Sequence, residues 1–192
     1  GSIILDGQQL EKLSNKALSE IRKKDIGFIF QEYNLLHTLT VKENIMLPLS
    51  VQKLDKKEMN ERYQRITQAL NIFEISDKYP SDISGGQRQR TSAARAFITY
   101  PKIIFADEPT GALDSKNTRD LLQRFQKINE LYNATIVMVT HDPLAASFSE
   151  RVIMLKDGQV FTEIYQGEDD KNVFHKEILR AQSILGGMMY EF

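Results

Sequence analysis

An α/β fold, a parallel sheet interrupted by a long helical insertion, is predicted by three observations. Two apolar runs too short for helices, 103–106 and 135–140, flank a segment that starts near Ser115 and carries Leu121, Leu122, Phe125, Ile128 and Leu131 on one helical face. That strand, helix, strand order is the order of a right-handed crossover, and the two runs read as buried parallel strands. A third short apolar run, 26–30, is followed by a stretch from about 33 to 98 whose pattern is mostly helical.

In chain order, 3–5 reads as a strand that turns at Asp6-Gly7. Ser14 caps a helix reaching about Lys24, and the 26–30 strand ends at Gln31. Thr40-Val41-Lys42-Glu43 fits a capping box, and 55–58 offers a second. It opens a helix over 56–70 with Met59, Tyr63, Ile66 and Leu70 on one face. Ser84 caps the next helix, 87–98, which Pro101 terminates. Strands at 152–155 and 160–164 flank Asp157-Gly158, a hairpin signal, and a helix over about 171–185 closes the chain.

The 192 residues, 41% of them hydrophobic, suffice for one domain with a sizeable core and exclude a disordered chain. Lys and Arg number 25 against 26 Asp and Glu, so no positive surplus drives nucleic-acid binding and no nucleic-acid partner is expected. The absence of cysteine excludes disulfides and thiolate metal sites and fits a reducing compartment, with the cytoplasm as default. No apolar run approaches the roughly 20 residues that span a bilayer. A membrane role therefore comes through a partner.

Four segments carry chemistry. In Ser84-Gly85-Gly86-Gln87 a good N-cap and two glycines let an anion approach the N–H groups at a helix start, where the helix dipole adds positive charge. Asp107-Glu108 closes an apolar strand, at the sheet edge where ligands bind in open α/β folds; Asp107 suits Mg²⁺ and Glu108 suits polarising a water. His141 follows the 135–140 strand and so emerges on the same edge, able to bond a phosphate oxygen. Gln31, closing the 26–30 strand, presents an amide able to reach Mg²⁺ or the water. Taken singly, Gly111-Ala112-Leu113-Asp114 is a plain turn, and His37 and His175 read as incidental.

Gln31, the Ser84 motif, Asp107-Glu108, 111–114 and His141 resemble, in order and approximate spacing, the Q-loop, signature, Walker B, D-loop and H-loop of an ATP-binding cassette (ABC) ATPase. The resemblance covers essentially the whole chain. It implies a P-loop NTPase-type parallel-sheet core with an inserted helical subdomain: a partial nucleotide-binding domain over 1–192, the subdomain with the signature over 33–100, and the rest of the core with a C-terminal hairpin and helix over 101–192. It implies ATP and Mg²⁺ as ligands and a head-to-tail dimer with a second nucleotide-binding subunit. Glu108, His141 and Gln31 are then catalytic, Asp107 and Gln31 hold the metal, and Ser84, Gly85, Gly86, Gln87 and Asp114 bind nucleotide.

One motif of the family is missing: no Gly-x-x-x-x-Gly-Lys-Ser/Thr occurs, nor the aromatic residue that stacks on adenine. The core is thus expected to be incomplete, lacking the Walker A strand, loop and helix, through N-terminal truncation; a naturally loop-less, non-hydrolysing subunit is the alternative. Ile104, Phe105, Val137 and Val139 are then expected in a sheet with a poorly covered side. The 192 residues alone are expected to bind Mg-ATP negligibly and to aggregate.

The interval from Gln31 to Ser84 holds a compact helical subdomain and leaves no room for a long coiled coil. A soluble family member acting on ribosomes or in regulation is the alternative to transport, which a single cassette favours. The 106–115 segment and the 156–186 tail are similar to bacitracin-type antimicrobial-peptide exporters, with the lipoprotein-release and macrolide-export branch beside them. The resemblance implies a transmembrane permease partner and a peripheral location on the inner face of the cell membrane. The permease would dock in a groove beside Gln31, where Tyr33, Leu35, Leu36 and Leu47 either receive it or pack the subdomain.

Overall fold

Local signals in the chain set its elements, as seen in a computed structural model that describes residues 1–52, 54–111 and 113–187. β1 (Ile4–Leu5) and β2 (Gln8–Gln9) form a hairpin around Asp6 and Gly7, both with positive φ. The Ser14 hydroxyl accepts from the Ala17 N–H and starts α1 (Asn15–Lys24), which leads into β3 (Ile26–Ile29). α2 (Val41–Ser50) opens with a complete capping box, Thr40 and Glu43 bonding each other's backbone N–H. At α3 (Lys56–Ala69) only half of the expected box forms. Asp55 accepts from the N–H groups of Lys57 and Glu58, whereas Glu58 turns forward to Arg62, one helical turn on.

α4 (Gly85–Phe97) begins two residues before the expected Gln87, because the Ser84 cap places Gly85 and Gly86 inside the first turn. β4 (Ile103–Asp107), α5 (Ser115–Tyr132) and β5 (Thr135–Val139) form the crossover. α5 starts at Ser115 as expected, with Asp114 as its cap, the carboxylate accepting from the N–H groups of Lys116 and Asn117. A short α6 (Pro143–Ala146) leads to β6 (Arg151–Lys156), β7 (Gln159–Tyr165) and α7 (Lys171–Gly187). Asp157 and Gly158 both take positive φ in the β6–β7 turn, which is why Asp-Gly suits it.

The central sheet runs β3-β4-β5, all parallel, with Ile26 opposite Ile103 and Ile103 opposite Thr135. No strand among the described residues pairs with the outer edge of β5, and β6-β7 forms a separate antiparallel sheet. One face of the central sheet packs on helices. Ile29, Ile104 and Ala106 join Ala93, Ala94, Ala96 and Phe97 of α4 in a core that Leu121, Leu122, Phe125 and Ile128 of α5 complete. Phe97 meets Phe125 edge-on at 5.6 Å between centroids.

The other face is open. Phe30, Phe28 and Phe105 stack in a row at 5.9 and 5.7 Å, and with Val137 and Val139 they stand exposed. The strands are therefore half-buried with a period of two instead of buried throughout, with Ile104 on the covered face and Phe105, Val137 and Val139 on the open one. Leu131 departs as well: it is 72% exposed, because the next position on the α5 stripe belongs to Tyr132, which stacks on Tyr100 at 4.3 Å.

β3 and α4 approach so closely that a Cβ on Gly27 would lie 2.7 Å from the Ala96 carbonyl oxygen, a backbone atom with nowhere to go. Gly27→Ala is expected to destabilise the fold by about 1–3 kcal/mol, the range for overpacking a core. A urea unfolding curve with unchanged slope and a lower midpoint is the expected observation.

Candidate functional site

Three consecutive strands end at one edge, and their ends bring the predicted residues together. Asp107 closes β4, and the chain turns at Glu108, whose φ of 42° is rare for a residue with a side chain. The Glu108 N–H donates to the Val139 carbonyl at 2.9 Å, fastening the turn across the end of β5. The carboxylate is fixed too. Its Oε1 accepts from the His141 backbone N–H at 3.0 Å and lies 2.6 Å from His141 Nδ1, while Oε2 accepts from the Thr140 hydroxyl at 3.2 Å. Gln31, at the end of β3, places its Nε2 3.4 Å from where a Cβ of Gly111 would sit, so its amide lies over the turn that Glu108 begins.

The hydrogen bond that His141 Nδ1 makes to the Glu108 carboxylate, and next the charge of that carboxylate, raise the His141 pKa above the ordinary imidazole value. This pairing favours the fold most below pH of about 6.5 and is lost as pH rises through the raised folded value. In an NMR titration His141 is expected to titrate above the usual histidine range and to fall back when Glu108→Gln removes the negative charge. Its side chain is 85% exposed, whereas that of Glu108 is 17% exposed, so the imidazole is the accessible member of the pair.

The glycine-rich segment opens α4 with a capping box. Ser84 Oγ accepts from the Gln87 N–H at 3.3 Å, and Gln87 Oε1 accepts from the Ser84 N–H at 2.9 Å. The N–H groups of Gly85 and Gly86, in the first turn, have no acceptor among the described residues and stand at the positive end of the helix dipole. No hydrogen bond among the described residues joins Ser84, Gly85, Gly86 or Gln87 to Glu108 or His141. The nearest link is apolar, Leu113 Cδ2 lying 3.8 Å from where a Gly86 Cβ would be. Ala112, in the same turn, lies outside the described residues. The Asp114 carboxylate is held by Asn117 and Lys116 at the α5 start, which lowers its pKa.

No group of three or more His, Cys, Asp or Glu among the described residues could hold a metal alone. Asp107 and Gln31 offer two hard oxygen donors, and that set suits Mg²⁺, which takes one or two protein ligands beside phosphate and water. Around the proposed groove, Leu36 and Leu47 are exposed, Tyr33 is half-buried and Leu35 is buried in the protein. His37 is exposed, and His175 Nδ1 lies 3.2 Å from the Pro143 carbonyl.

Three contributors escaped the sequence reading. Thr140 steadies Glu108 from the residue before His141, a position that could have flagged it. Asn44, fully buried, donates to the carbonyls of Leu36, Leu39 and Thr40 and accepts from the Leu36 N–H; a polar residue one turn into an apolar helix was its signal. Arg95 donates to the carbonyls of Tyr33 and Asn34, a pairing across 62 and 61 positions that nothing local announces.

The family model described as ABC transporter matches residues 1–111. The bacitracin export ATP-binding protein BceA of Halalkalibacterium halodurans is 57% identical over 188 residues, 98% of this chain and 74% of that protein. The macrolide export ATP-binding/permease protein MacB of Campylobacter jejuni is 40% identical over 96% of this chain and 29% of its own length. Among solved structures, the dimeric ATP-binding cassette MJ0796 of Methanocaldococcus jannaschii, bound to ADP and phosphate in a post-hydrolysis state, superposes with a TM-score of 0.76. It is 38% identical and covers 86% of this chain and 73% of that one.

Proposed function

Because this chain belongs to the ABC transporter family, as an ATP-binding subunit with the P-loop NTPase-type fold, we propose that it hydrolyses Mg-ATP to drive a membrane permease exporting antimicrobial peptides. The observation that carries the reading is the convergence of Gln31, Asp107, Glu108 and His141 on one sheet edge, on a chain whose α4 opens with Ser84-Gly85-Gly86-Gln87. The similarity to BceA supports the cargo class.

Glu108 accepts the proton of the attacking water, its carboxylate kept from swinging by Thr140 and His141. With Nδ1 turned to Glu108, His141 has Nε2 free for a phosphate oxygen. Asp107 and Gln31 would hold Mg²⁺, which, when bound, neutralises charge on the phosphates. The free N–H groups of Gly85 and Gly86, with Ser84, Gln87 and Asp114, serve the nucleotide of a second, head-to-tail copy, so that each site is composite. The helices over 33–100 form the subdomain that meets the permease, with Leu36 and Leu47 exposed to receive it, and the protein works on the cytoplasmic face of the membrane. Among the described residues no helix is long and apolar enough to cross a membrane.

The full-length protein, reconstituted with its permease, is expected to hydrolyse Mg-ATP and to confer resistance to a peptide antibiotic such as bacitracin. Absence of both overturns the reading. A polypeptide of these 192 residues, without a Walker A sequence, is expected to show no heat of ATP binding by calorimetry and to self-associate through the Phe28, Phe30, Phe105, Val137 and Val139 face. Micromolar affinity on monodisperse material contradicts this.

A further inference from the structure

His141 is held at both of its peptide groups, and by different parts of the chain. Glu108, in the turn after β4, accepts from the His141 N–H at 3.0 Å. On the carbonyl side no backbone group among the described residues donates, and the bond comes from α7, where Gln182 Nε2 donates at 3.3 Å. Gln182 is 41 positions away in sequence, so the contact exists because α7 is laid along α6. Several side chains lay it there. Lys171 bonds Gln126 of α5 at 2.8 Å and sits over the Phe148 ring, 4.6 Å from its centroid. Phe174 and Ile178 are buried, as is Ala145 of α6, and His175 Nδ1 lies 3.2 Å from the Pro143 carbonyl. At about 100° of rotation per residue, positions 171, 174, 175, 178 and 182 fall on one stripe of α7. Gln182 closes that stripe, exposed and beyond the apolar contacts, where its amide meets His141.

Building on the function proposed above, we propose that Gln182 is a positioning residue for His141, and that α7 is the strut that keeps the imidazole Nε2 aimed at the phosphate. The side chain of His141 is 85% exposed, so packing does not hold the ring. Its direction rests on the backbone beneath it and on the Glu108 carboxylate. A rotation of the peptide that follows His141 would carry the ring off Glu108, and the bond from Gln182 opposes that rotation. Small misplacements of a group that meets the reacting phosphate are costly to turnover. Gln182 touches no reacting atom; it acts through His141.

The test reads turnover on the full-length protein with its permease and the His141 titration by NMR on the full-length subunit. Gln182→Met, which matches the side chain in length without a donor, is expected to lower kcat about three- to tenfold, the worth of one hydrogen bond, while KM for ATP changes by less than about twofold. In the same variant the His141 titration is expected to move back towards the ordinary imidazole range. Glu108 and, after it, Asp142 are the carboxylates that raise it, and a freed peptide lets the ring leave Glu108. Gln182→Lys, whose longer side chain still donates, is expected to recover most of the turnover. Ser183→Ala, at the next residue of the same helix, is expected to change neither reading. If Gln182→Met does not fold, Gln182→Ala, with the strongest helix former, takes its place with the same expected losses. Parental turnover in the donor-less variant overturns the proposal, as does a loss of turnover with an unmoved His141 titration or an equal loss in Ser183→Ala. Absence of ATP turnover in the unsubstituted protein would strike the proposed function instead.

Discussion

Glu108→Gln is expected to cut the turnover of the full-length protein by about 10²–10⁴-fold, the span attributable to a positioned general base, while ATP-driven dimerisation survives. The substitution keeps the shape and one oxygen of the side chain: with that oxygen at the Oε1 position the bond from the His141 N–H retains its acceptor, and the amide NH2 faces the Thr140 hydroxyl, which can turn to accept. What disappears is the capacity to take a proton and the negative charge that stabilises a protonated His141. A steady-state ATPase assay alongside size-exclusion chromatography separates the two effects. Turnover within a few-fold of the parent protein refutes the assignment of Glu108 as the base.

Phe97→Ala is expected to cost about 3–5 kcal/mol, the range for removing a buried aromatic ring, and so to consume much of the 5–15 kcal/mol typical of a domain. Phe97 has no exposed surface, and its ring meets Phe125 edge-on where α4, α5 and the sheet come together. Its loss opens a cavity at the junction between the helix that begins at Gly85 and the strand that ends at Asp107. A chemical denaturation curve checks the magnitude, with Leu131→Ala as the contrast. At 72% exposure that residue is expected to change stability by less than about 0.5 kcal/mol. Equal losses in the two variants are incompatible with the packing described.

Much of the fold was legible because it is written locally. Capping at Ser14, Thr40 and Ser84, the Asp-Gly turn at 157–158 and the apolar stripe of α5 are short-range signals, and each appears in the structure where its chemistry places it. The site was legible for a related reason: residues that end parallel strands share an edge, so Gln31, Asp107, Glu108 and His141 could be grouped before any coordinate was known. What escaped depends on distant partners. A run such as Thr135-Ile136-Val137-Met138-Val139 does not reveal that one face lies against helices and the other is bare, because both faces carry apolar residues. Likewise Leu131 and Tyr132 compete for one stripe position, and Tyr100, 32 positions away in sequence, decides in favour of the tyrosine. The forward turn of Glu58 towards Arg62 follows the same rule, since Arg62 lies under the influence of the Tyr100 ring, 4.3 Å from its centroid.

The parallel pairing of Ile26 with Ile103 has a consequence in time. All of α2, α3 and α4 must be synthesised before β3 meets its neighbour, and at roughly 5–20 residues per second β3 waits several seconds on a working ribosome. Closing so long a loop adds little to the equilibrium cost, which grows only with the logarithm of its length. The rate suffers more, since pairing between distant segments is the slow kind. During that interval Phe28 and Ile29 are unprotected on both sides of their strand. Successful maturation therefore depends on how quickly the intervening helices collapse and on what shields the nascent strand until β4 emerges.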